Sequence, residues 1–123
     1  MTAVLVIEDD PDTQIILRDY LGTLGAEVQV AGSVEEARRL LEEATPELML
    51  IDVGLPDGDG VSFLGEIRNA GGLRGTKTIG LTAYSDPVTR ERVLSAGFDE
   101  VLWKPVDGQD LLRSVKRVIG TPS

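Results

Sequence analysis

Short apolar runs alternate along this chain with longer stretches whose apolar residues recur every three or four positions. The runs are Ala3 to Ile7, Leu48 to Ile51, Thr78 to Leu81 and Val101 to Trp103. Runs this short, bounded by polar residues, predict strands, and their alternation with helical stretches predicts a parallel sheet. Glu27-Val28-Gln29-Val30 differs, because polar and apolar residues alternate within it. Such a strand exposes one face to water, which places it at a sheet edge, whereas Ala3 to Ile7 reads as buried on both faces.

Five helices are predicted between and after these strands. Asp10 before Pro11 supplies a cap and a proline at the first helical position, with Leu17, Tyr20, Leu21 and Leu24 on one face and Gly25 as the stop. Ser33 and Glu36 have capping-box spacing ahead of Ala37, Leu40, Leu41 and Ala44, and Pro46 closes the connection. A third helix starts near Gly60, buries Phe63, Leu64 and Ile67, and stops at Gly71 and Gly72. The fourth runs from Asp86-Pro87 to Gly97, and the fifth begins at Asp107 and carries Leu111, Leu112, Val115, Val118 and Ile119. Residues 1–120 therefore read as one domain, and 121–123 as a frayed tail or the start of a linker.

Composition narrows the chemistry. A chain of 123 residues, 41% hydrophobic and 27% charged, suits one soluble globular domain. Twelve Lys and Arg against 21 Asp and Glu give a net charge of −9, which disfavours direct contact with nucleic acid. With no Cys and no His, thiolate and imidazole nucleophiles and the usual zinc ligands are excluded. The N-terminal apolar stretch is too short for a signal peptide, and no run approaches the length of a membrane span, so a cytoplasmic protein is expected.

Open α/β sheets place their sites at the carboxyl ends of the strands. Here Glu8 and Asp9 follow the first strand, Asp52 ends the third, Thr82 the fourth and Lys104 the fifth. Carboxylates gathered on one rim repel each other, and a hard divalent cation such as Mg²⁺ resolves the conflict. Phosphoryl chemistry is the natural partner of such a site, with Asp52 as nucleophile, Lys104 pairing with phosphoryl oxygens and Thr82 donating a hydrogen bond. Taken singly, Asp9 and Asp10 read as helix caps, Thr82 as a strand-end residue and Lys104 as a solvated cation. Asp52 resists that treatment, since an acid after Leu-Met-Leu-Ile is costly to bury without a partner.

Together, Glu8-Asp9-Asp10-Pro11, Asp52 with Leu55-Pro56-Asp57-Gly58-Asp59-Gly60, Thr82-Ala83 and Lys104-Pro105 resemble the receiver domain of two-component response regulators. The match spans essentially the whole chain. The resemblance implies a flavodoxin-like, doubly wound five-stranded parallel sheet in the order 2-1-3-4-5 with helices on both faces. It implies a signalling phosphoacceptor rather than an enzyme. Asp52 would take its phosphoryl group from a phosphohistidine of a sensor histidine kinase or histidine phosphotransfer protein. Mg²⁺, or Mn²⁺ in its place, would be held by Glu8, Asp9, Asp52 and the carbonyl of Gly54. Thr82, Ala83 and Lys104 would bind the phosphate and switch the domain, and the Lys104-Pro105 bond would be cis. A downstream effector protein or domain would read helix four, strand five and helix five, with Arg90, Arg92, Asp99, Glu100, Arg113 and Arg117, and a homodimer through that face stays open.

Departures from the commonest family pattern concern the modulators. Val101 stands where many receivers carry a Tyr or Phe that swings inward when the threonine engages phosphate. Trp103 shares a strand face with Val101 and either takes over part of that signal or packs the edge strand. Gly54 and Tyr84 lie where family members tune water access to the phosphoaspartate, and a ring at Tyr84 predicts slow decay. An aspartyl phosphatase of the haloacid dehalogenase type needs a second Asp where Gly54 stands, and an EF-hand reading of Asp57 to Gly60 fails at Val61 and for want of a downstream Glu. An interaction module of this fold that never receives phosphate is the remaining alternative.

Overall fold

The computed structural model describes residues 2–71, 75–83 and 86–120. Five parallel strands form one sheet: β1 (Ala3–Ile7), β2 (Glu27–Ala31), β3 (Leu48–Asp52), β4 (Lys77–Thr82) and β5 (Glu100–Trp103). Their order is β2-β1-β3-β4-β5, as the resemblance implied. The helices are α1 (Pro11–Gly22), α2 (Val34–Glu43), α3 (Gly60–Asn69), α4 (Pro87–Ser95) and α5 (Gly108–Ile119). Between β3 and α3, Gly54–Leu55 and Gly58–Asp59 pair as a two-residue antiparallel hairpin that the hydrophobic pattern did not predict.

Strand alternation sorts the core into two layers. Val4 and Val6 of β1 join Leu17 and Leu21 of α1 and Leu111 and Val115 of α5 on one face of the sheet. Leu5 and Ile7 face the other way, into a cluster with Ala37 of α2 and Phe63 and Leu64 of α3. All five residues of β3 are buried, as a central strand requires, while β2 alternates between exposed and partly buried before closing on Ala31. No helix among the described residues is long and apolar enough to cross a membrane.

Four of the five helices start on the cap that the sequence indicated, and α3, for which none was indicated, starts on Asp59. Asp10, Ser33, Asp86 and Asp107 accept bonds from backbone N–H groups of the first turns of α1, α2, α4 and α5. In α2 the reciprocal bond is displaced by one residue, because Glu36 Oε2 accepts from the N–H of Gly32 rather than that of Ser33. The predicted inner face of α1 is narrower than expected. Leu17 and Leu21 are fully buried, but Tyr20 and Leu24 are 36% and 40% exposed. Tyr20 lies over the first turn of α5, where its ring occupies the space that a side chain at Gly108 would need. Residues 72–74, 84, 85 and 121–123, and with them the expectations for Gly72, Tyr84 and the tail, lie outside the described residues.

Candidate functional site

The carboxyl ends of β1, β3, β4 and β5 meet on one rim of the sheet. Register explains it: Ile7 pairs with Ile51, Asp52 with Leu81 and Thr82 with Trp103, so the residues at each strand end emerge side by side. Oxygens of Glu8, Asp9 and Asp52 all lie within 4.8 Å of one another. Glu8 and Asp52 are buried, whereas Asp9 is exposed, giving the cluster a closed floor and an open mouth.

Lys104 enters from the end of β5 and serves both buried acids. Its Nζ donates to Asp52 Oδ2 at 2.9 Å and forms an ion pair with Glu8 Oε1 at 2.5 Å. The Lys104-Pro105 peptide is cis. Asp52 Oδ1 accepts from the N–H of Gly54 at 3.0 Å, so the loop after β3 turns back over its own carboxylate. Gly60 closes that loop, donating its N–H to the carbonyl of Val53 at 2.9 Å. Any Cβ at Gly60 would overlap the carbonyl oxygen of Asp52, so the motif glycine reflects a close backbone approach.

Electrostatics follow from burial. Removal from water raises the Glu8 carboxyl to about 7, and its hydrogen bond with Asp52 pushes the same way, against the bonds from Lys104 and the Asp10 backbone. Burial acts to lower the Lys104 pKa, but the ion pair with Glu8 and the hydrogen bond to Asp52 outweigh it, so the ammonium is held above its usual value. Three carboxylates against one ammonium leave the rim negative. Glu8 Oε1, fully buried, receives no aligned hydrogen bond despite its ion pair. A donor set made only of hard oxygens, with one under-satisfied atom and an open mouth, fits a divalent cation of the Mg²⁺ type.

Thr82 is buried at the end of β4 and Ala83, next to it, is exposed, so the strand delivers both to the edge of the acidic cluster. Val101 and Trp103 are half-buried on one face of β5, with Trp103 in register beside Thr82. Trp103 has a partner that strand periodicity could not reveal: the guanidinium of Arg90 in α4 sits 5.1 Å from its ring centroid. The charged residues of the α4-β5-α5 face are largely engaged as well. Arg117 pairs with Glu100 at 2.7 Å, Arg113 with Asp110, and Arg92 with Asp59. Asp99 turns inward, accepting from the N–H of Thr78 at 2.8 Å.

Arg92 and Asp57 also make contacts that periodicity along the chain does not reveal. Arg92 crosses from α4 to Asp59, the residue that caps α3 through the N–H of Val61. Asp57 reaches back to α2, accepting from the N–H groups of Val34 at 2.8 Å and Glu35 at 3.2 Å. The only signal was the unusual density of acids in Asp57-Gly58-Asp59-Gly60.

A family model described as the response regulator receiver domain matches residues 4–116. An uncharacterized 14.6 kDa protein of Leptolyngbya boryana is 40% identical over 114 residues, which cover 93% of this chain and 87% of the relative. The KDP operon transcriptional regulatory protein KdpE of Escherichia coli is 38% identical over 85% of this chain, which covers 45% of that protein. The chain thus spans about half the length of the transcriptional regulators it matches. Among solved structures, the receiver domain of a Pseudomonas aeruginosa sensor histidine kinase superposes with a TM-score of 0.84 at 32% identity, covering 98% of both chains. That structure holds a magnesium ion in its active-site cleft.

Proposed function

Because this chain belongs to the response regulator receiver domain family, we propose that it is a Mg²⁺-dependent phosphoacceptor in two-component signalling, modified on Asp52. The observation that carries the reading is the joint placement of Glu8, Asp9 and Asp52 within 4.8 Å of one another, with Lys104 bonded to two of them. A structural ion pair alone would not require a third acid at the mouth.

Asp52 acts as nucleophile. One carboxylate oxygen attacks the phosphorus of a phosphohistidine, a P–O bond forms as the P–N bond breaks, and the electron pair leaves on the imidazole. Glu8, Asp9, Asp52 and the Gly54 carbonyl would hold the cation, which supplies positive charge to screen these carboxylates from the incoming phosphoryl oxygens. Lys104 is already at Asp52 and needs only a side-chain rotation to pair with the new oxygens. The Thr82 hydroxyl, with Ala83 beside it, donates to another of them and so senses occupancy.

The donor is a sensor histidine kinase or a histidine phosphotransfer protein, and the product is read by an effector protein or domain at the α4-β5-α5 face. The chain works in the cytoplasm as a switch rather than as an enzyme with turnover, and its net charge of −9 argues against direct nucleic-acid binding. Stoichiometry tests the reading against a phosphatase. Incubation with a small acyl phosphate and Mg²⁺ should label one phosphoryl group per chain, whereas steady hydrolysis of phosphate monoesters would refute the assignment.

A further inference from the structure

The geometry points to Asp57 as a positioning residue that anchors the metal-side loop to α2; this rests on the Mg²⁺ reading of the site. Gly54, whose carbonyl is the proposed fourth ligand, belongs to the two-residue hairpin Gly54–Leu55/Gly58–Asp59, and Pro56-Asp57 form its tip. A ladder of two rungs is marginal in water on its own, so its shape must be imposed from outside.

The base of the hairpin is held by the Gly54 N–H on Asp52 Oδ1 and by the Gly60 N–H on the Val53 carbonyl. At the tip, the Asp57 carboxylate takes two N–H groups from the first turn of α2, those of Val34 and Glu35. These bonds draw the Asp57 pKa down, the Val34 N–H most strongly, so the carboxylate is the form that grips. Beside it, Gly58 packs its bare Cα against Val34, where an added Cβ would sit 3.0 Å from Val34 Cγ2.

The helix start has its own cap, since Ser33 Oγ accepts from the N–H of Glu36 at 3.1 Å. Asp57 is therefore not needed merely to begin α2. It joins the loop to a helix whose Ala37 is fixed in the core, and so sets the position of Gly54 against Glu8 and Asp52.

The test compares Mg²⁺ binding by calorimetry in the wild type, Asp57→Asn, Ser33→Ala and Glu35→Gln, together with thermal melts. Asp57→Asn should weaken Mg²⁺ binding about tenfold, the scale typical of outer-shell supports. Ser33→Ala lowers the melting temperature through the same helix end yet should leave Mg²⁺ affinity within about twofold, as should Glu35→Gln, which removes a nearby charge without touching the loop. Unaltered affinity in Asp57→Asn, or an equal loss in Ser33→Ala or Glu35→Gln, overturns the inference. Failure of the wild type itself to bind Mg²⁺ overturns the metal reading instead.

Discussion

Lys104 Nζ stands 2.9 Å from Asp52 Oδ2 while holding an ion pair with Glu8 Oε1, so one ammonium is shared by the two buried acids of the site. Replacing it by Met should strand both buried carboxylates and destabilise the fold. The expected cost is about 3 kcal/mol at pH 8 without metal, in the range for breaking a buried ion pair from one side. Mg²⁺ should restore part of this, and denaturant melts with and without Mg²⁺ measure both effects.

Glu8 gives the metal-free protein a distinctive pH dependence. Its folded pKa of about 7 lies above the ordinary 4.5, so the folded state prefers the protonated form. That contribution is fully present below pH 4.5 and is lost as pH rises through 7, a decline of roughly 3 kcal/mol. Asp10, Asp57, Asp59 and Asp86 have the opposite sign. Their pKa values are lowered, so their contributions are present above pH 3.8 and lost on further acidification. Glu8→Gln should flatten the curve between pH 4.5 and 7 and stabilise the metal-free protein at pH 8. Mg²⁺ affinity of the wild type should rise as Glu8 sheds its proton, and a pH-independent affinity from 5 to 8 would contradict this.

Gly60→Ala tests the close approach behind Asp52. The added methyl meets a backbone oxygen, which cannot rotate away, so a loss of about 2–3 kcal/mol and slower phosphoryl labelling are expected. A variant as stable as wild type would show that the loop has room to shift.

Asp59 and Arg92 form the link from α3 to α4. Asp59→Ala removes both the cap of α3 and the partner of Arg92, and should cost about 1–2 kcal/mol. Arg92→Ala should cost less than about 1 kcal/mol, because the arginine is half exposed. Chemical denaturation of the two variants checks the ranking.

Trp103 is the only tryptophan, so its emission reports the end of β5. If it carries part of the signal in place of an aromatic at Val101, labelling of Asp52 should change its emission, and Arg90→Ala should alter the response by removing the cation over its ring. Emission indifferent to labelling would leave Trp103 as edge-strand packing alone.

Much of this was legible in the sequence because it depended on local signals. Continuous apolar runs marked β1 and β3, and Asp10, Ser33, Asp86 and Asp107 marked helix starts within a residue. The rim was legible too, since parallel strands bring their ends together whatever the details of packing. What stayed hidden depended on partners far along the chain. Asp57 and Val34 are 23 residues apart, Arg92 and Asp59 are 33 apart, and nothing in either segment names the other. Tyr20 and Leu24 misled for a related reason, because helical periodicity reports an apolar stripe but not how much of it a neighbour covers.

Intact-mass measurement after incubation with a small acyl phosphate tests the central claim most directly. Wild type with Mg²⁺ should gain the mass of one phosphoryl group, lose the gain when the metal is chelated beforehand, and show none in Asp52→Asn. A Mg²⁺-dependent gain that persists in Asp52→Asn, or no gain in the wild type with any phosphodonor, would contradict the account.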